Sequence, residues 1–81
     1  MTYITTFYSH FGAIRYKKLC EGNQIPARVM PVPRDLSSSC GTCVSSEGNY
    51  LLPEGPALEE IEQIVEKTDS GYRQIYRAEN S

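Results

Sequence analysis

The stretch "PALEEIEQIVEKTDSG", residues 56–71, carries the fold expected of the whole chain. Leu58, Ile61, Ile64, Val65 and Thr68 recur at intervals of three and four, the spacing of a single apolar stripe on a helix. Pro56 suits the first helical position, where a missing N–H costs nothing, and Glu59 and Glu60 suit the positive end of a helix dipole. Gly71 is a natural stop. The spacing predicts a helix over 56–67 with its Glu-rich side facing solvent.

On the C-terminal side, "YRQIYRA" (72–78) alternates as a last strand, and residues 79–81 form a tail expected to fray. On the N-terminal side, "EGNYLLPEGP" (47–56) is a turn-rich connection and "TCVSS" (42–46) a short strand. "IPARVMPV" (25–32) reads as a strand whose prolines place it at a sheet edge, where missing ladder donors are tolerated. "TYITTFY" (2–8) is β-branched and aromatic on both faces, which predicts a central strand. Ser9 is a natural N-cap for a helix over 10–22, with Gly12, Ala13, Tyr16, Leu19 and Cys20 on its core side. The small pair Gly12 and Ala13 lets that helix approach closely, and "EGNQ" (21–24) stops it.

The order is β-α-β-β-α-β. It predicts an α+β, ferredoxin-like sandwich: a four-stranded antiparallel sheet with two helices on one face, one domain over 1–81. That topology places the loop 33–41 at the same end of the sheet as the Ser9–His10 helix start and the Thr68–Gly71 turn.

Composition narrows the function. The 81 residues carry a net charge of −2, with 40% hydrophobic and 22% charged residues, an ordinary globular balance. No basic footprint argues for nucleic acid, since Arg15, Lys17 and Lys18 form only a short solvated patch. No apolar run is long enough to span a membrane, and "MTYITTFYSH" does not read as a signal peptide. Three cysteines, an odd count without a secretory signal, point to a reducing cytoplasm and away from a disulfide framework.

The chemistry-bearing stretch is "PVPRDLSSSCGTC" (31–43). Ser37, Ser38 and Ser39 offer hydroxyl and N–H donors to a Cys40 thiolate, Gly41 permits a curled anion-binding backbone, and Arg34 brings a fixed positive charge that lowers the thiol's pKa. The same residues also make an ordinary turn, and spacing does not separate the two. Cys40 and Cys43 form a Cys-x-x-Cys pair, but a strand follows where a thioredoxin-type site needs a helix. Zinc would need four ligands, and only Cys20, Cys40, Cys43 and His10 are on offer, so no metal and no cofactor is expected. His10 is a weaker candidate base, and Cys20 reads as a core residue.

The run "IPARVMPVPRDLSSSCG" (25–41) resembles the signature of the selenium/sulfur-carrier-like protein family, in which I-P-x-x-x-x-P-x-P-R-x-L-S-S-S-C-G precedes an acidic helix and a last strand. The layout covers nearly the whole chain. The resemblance implies a cytoplasmic carrier holding sulfur or selenium as a persulfide-type adduct on Cys40, working with sulfur- or selenium-handling partner proteins. Two features depart from the pattern: Cys43 stands where an aliphatic strand residue is usual, and "EGNYLLPEGP" is an additional segment. Three functions therefore stand side by side: a chalcogen carrier on Cys40, a thiol-disulfide module using Cys40 and Cys43, and a non-catalytic interaction domain. A homodimer through the uncovered sheet face is a further expectation.

Overall fold

Residues 61–68 are a strand, not the helix that their spacing predicts. The computed structural model describes residues 1–79 and gives the order β1 (Thr2–Phe7), α1 (His10–Gly22), β2 (Ala27–Pro31), β3 (Thr42–Glu47), α2 (Pro56–Glu59), β4 (Ile61–Thr68) and β5 (Gly71–Arg77). The strands form a five-stranded sheet, β2-β3-β1-β4-β5, antiparallel at every pairing. The fold is α+β with two helices, as expected, but the sheet has five strands rather than four. The second helix shrinks to one turn with Pro56 at its start. Of the tail expected over 79–81, residues 80 and 81 lie outside the described residues.

The physical reason for the misreading is a bulge. Thr6 pairs with Gln63 and Phe7 with Ile61, so Glu62 is an extra residue in β4. The extra residue brings Ile61 and Ile64, three apart, onto one face of a strand, where both are fully buried in one cluster with Phe7 and Val44. A three-residue interval therefore arises without a helix. Val65 then points to the opposite face, beside Ile4 and Cys43. Four of the eight residues of β4 (Ile61, Ile64, Val65, Thr68) are β-branched, which favours the pleated conformation. Burying the side chains of Ile61 and Ile64 contributes about 1.5–3 kcal/mol each. The "TDSG" stretch is the hairpin turn into β5, with Thr68 paired to Gly71. A second register shift, Ile64 facing Tyr76 and Val65 facing Gln74, lets Ile75 and Tyr76 both pack on the helix-side cluster, so β5 does not alternate throughout.

Several local expectations hold. α1 covers the predicted span, and Ser9 Oγ accepts from the Gly12 N–H at 3.2 Å. A Cβ on Gly12 would stand 3.0 Å from Glu60 Cβ, so a larger residue here would push Glu60 back by a few tenths of an ångström. β1 is the central strand and β2 an edge. Tyr16 is buried under α1, and its hydroxyl donates to Leu51 O (2.9 Å) while accepting from Leu51 N–H (2.8 Å), which fastens the 48–55 connection over the core.

Register fixes the ends of the sheet. Thr2 pairs with Lys67, so the Asp69–Ser70 turn lies at the start of β1, opposite the end to which Thr68–Gly71 was assigned. The loop between β2 and β3 does lie at the end where α1 begins: His10 Nδ1 is 3.2 Å from Thr42 Oγ1. That loop also folds over the sheet face away from α1. Val32 and Leu36 pack there against Ile4, Cys43 and Val65, so this part of the face is covered from within the chain.

Candidate functional site

The loop is closed at its neck and clamped from the sheet. The Val32 N–H donates to Gly41 O (3.1 Å), and the Leu36 N–H donates to Pro33 O (3.0 Å) in a tight turn. Gly41 has φ +75°, a conformation that a side chain would strain, and from it the chain turns into β3. Three side chains from β4 and β5 hold the loop. Tyr72 Oη donates to Asp35 Oδ1 (2.9 Å), and Gln63 Nε2 donates to Ser37 O (3.1 Å). The Glu62 carboxylate accepts from the Ser39 N–H (3.1 Å) and Ser39 Oγ (2.8 Å), and Thr6 Oγ1 donates to the same Oε1 at 3.3 Å.

The three serines therefore do different things. Ser37 offers its carbonyl to Gln63, and both donors of Ser39 are engaged by Glu62 rather than by sulfur. Ser38 Oγ is buried and has no hydrogen-bond partner among the described residues. Arg34 is exposed and makes no hydrogen bond or ion pair among the described residues.

The cysteines separate by environment. Cys40 is half-buried, packs against the cluster under α1, and its Sγ approaches Thr42 O at 3.5 Å. Cys20 and Cys43 are fully buried. Cys20 lies in the helix-side cluster, as expected of a core residue, and Cys43 lies in the cluster beneath the loop, its Sγ 3.7 Å from Pro31 O.

Against known families, a model described as "Putative Se/S carrier protein-like" matches residues 2–77. The chain belongs to this Se/S carrier-like family. Comparisons with curated proteins and with solved structures each return no significant match. Among the described residues, no helix is long and apolar enough to cross a membrane.

In this Se/S carrier-like chain, burial sets two of the thiols apart from the third. Removal from water pushes the Cys43 thiol up to about 11, with a smaller contribution from Cys40, and it also raises Cys20. Both stay protonated at neutral pH. Burial likewise holds Tyr16 at about 12, so its hydroxyl remains a donor to Leu51. Burial, then the Asp35 carboxylate, raises Tyr72 in the same direction.

Glu62, Gln63, Asp35 and Tyr72 were not singled out by sequence reasoning. Glu62 belongs to the Glu-rich helix side expected to face solvent, and nothing local marks Glu62 or Gln63 as a loop anchor. The Thr6–Phe7 pairing that creates the bulge lies more than 50 residues away in the chain. His10, weighed as a base, is engaged with Thr42 at the loop's exit.

Proposed function

We propose that this protein carries sulfur or selenium as a persulfide-type adduct on Cys40. The observation that carries the reading is exposure: of the three cysteines, Cys20 and Cys43 are fully buried and Cys40 alone reaches solvent. Membership of the Se/S carrier-like family supports the same reading.

The transfer balances without an oxidant. The Cys40 thiolate attacks the outer sulfur of a partner's persulfide, a new Cys40 Sγ–S bond forms, the partner's S–S bond breaks, and the partner's thiolate leaves. A donor perselenide gives the corresponding sulfur–selenium bond. Delivery is the reverse step toward an acceptor thiolate, with Cys40 as leaving group. The residues assigned to the site are Cys40 as nucleophile, Gly41 turning the chain beside it, Ser38 as an unengaged hydroxyl in the same loop, Ser37 and Ser39 holding the turn, and Arg34 as an exposed charge for an anionic adduct or an acidic partner. A buried hydroxyl without a partner needs an explanation. Ser38 Oγ supplies one here as the donor that an anionic terminal sulfur would take up. The partners are sulfur- or selenium-handling proteins, and the compartment is a reducing cytoplasm that keeps the thiols free.

The thiol-disulfide reading has less support. Cys43 is a protonated thiol packed beneath the loop, whereas Cys40 packs toward the helix side. The test is a two-step transfer. Protein loaded with inorganic polysulfide and freed of donor should pass one sulfur to an added acceptor thiol. Cys43→Ala should do so equally, and Cys40→Ser not at all. Transfer that survives Cys40→Ser, or that requires Cys43, contradicts the proposal.

A further inference from the structure

β4 departs from regular alternation at one point, and that point faces the Cys40 loop. Because Thr6 pairs with Gln63 and Phe7 with Ile61, Glu62 is the bulged residue. A bulge re-aims a side chain, so two consecutive residues can serve the same face. Both Glu62 and Gln63 reach the loop: Gln63 Nε2 donates to Ser37 O, and the Glu62 carboxylate accepts from the Ser39 N–H and Ser39 Oγ. Strict alternation back from Gln63 would send Glu62 to the helix side, beside Ile64 and Phe7 with no partner for its carboxylate, and would turn Ile61 out of that cluster.

The consequence falls on Cys40 from both directions. Ser39, its neighbour on one side, is held at backbone and side chain by Glu62. Gly41, its neighbour on the other side, is held by the Val32 N–H at 3.1 Å. Hydrogen bonds to a charged acceptor are stronger than neutral ones, so the Glu62 pair is the firmer of the two restraints.

We propose that Glu62 is the positioning residue of the carrier loop, and that the β4 bulge places its carboxylate where it fixes the approach to Cys40. This inference rests on the carrier reading for its meaning but not for its test. Among the described residues, Glu62 makes no hydrogen bond to sulfur. It acts through Ser39, by limiting the directions from which a donor sulfur can meet Cys40 Sγ.

The experiment compares wild type with Glu62→Ala and Glu62→Gln. Three rates are read: Cys40 loading by inorganic polysulfide, Cys40 alkylation by iodoacetamide, and hydrogen exchange at the Ser39 amide. Loss of the restraint exposes the thiol while spoiling the approach geometry. Glu62→Ala should therefore speed alkylation and Ser39 exchange while slowing loading by about tenfold. Glu62→Gln, which keeps shape and one acceptor oxygen, should fall between the two and covers the case in which Glu62→Ala does not fold. General loosening would raise loading and alkylation together, and a bystander would move neither, so either pattern overturns the proposal. If wild type takes up no sulfur, the carrier reading fails. Ser39 exchange then decides the positioning role by itself: faster exchange in the variants upholds it, and unchanged exchange overturns it.

Discussion

Cys40 and Cys43 stand three positions apart yet belong to different clusters: Cys40 packs against the residues under α1, and Cys43 lies among Ile4, Val65 and Leu36 on the other side of the sheet. The adjacent strand residues Cys43 and Val44 mark the change of side, as the pleat requires. The strand that begins at Thr42 turns the second thiol of the Cys-x-x-Cys stretch inward, where it is fully buried.

Replacing Cys43 should therefore change stability and not function. Cys43→Ala removes a small buried side chain and should cost about 1 kcal/mol in urea unfolding. Its extent of sulfur loading should equal that of wild type.

The pH dependence of stability follows from the same burial. The folded Cys43 thiol titrates at about 11, against 9.0 for an unperturbed thiol. As pH rises past the unperturbed value, the unfolded chain loses its proton first while the folded protein keeps it. The stabilisation is thus fully present below about pH 9, falls through the window up to about pH 11, and is worth on the order of 2 kcal/mol. Urea unfolding across that window should show the decline, and Cys43→Ala should make it shallower, leaving the part that the raised Cys20 and Tyr16 contribute. Tyr16, titrating at about 12 rather than 10.0, adds a second decline at higher pH.

Tyr16→Phe should loosen the 48–55 connection. The change leaves Leu51 N–H and Leu51 O without the hydroxyl that serves both. Losing those bonds should cost about 1–3 kcal/mol, read by thermal unfolding. The Leu51 amide should also exchange faster.

Gly41→Ala separates backbone strain from steric fit. Nothing lies within 4 Å of a Cβ placed there, but φ is +75°. The substitution should destabilise by about 1 kcal/mol and should slow sulfur loading through the altered neck of the loop.

Much of the fold was legible because its signals are local. Ser9 before a helix, Gly12 and Ala13 on its core side, and the prolines around β2 each act over a few residues and read correctly. The stretch 61–68 did not, because its three-residue interval comes from a bulge defined by Thr6 and Phe7, far away in the chain. The candidate site divides in the same way. The Cys40 turn was visible as a turn, and Gly41 adopts the conformation that only glycine takes easily. The targets of the serine donors were not visible, since Ser39 is held by Glu62, 23 positions away. Sequence proximity suggested that the serines serve the sulfur, whereas in the fold two of the three secure the loop.

The most direct test of the central claim is the intact mass of the protein after incubation with inorganic polysulfide and removal of the donor. The account predicts a gain of one sulfur that maps to Cys40, is released by a dithiol reductant, and is absent in Cys40→Ser. An unchanged mass, or a gain that persists in Cys40→Ser, would contradict it.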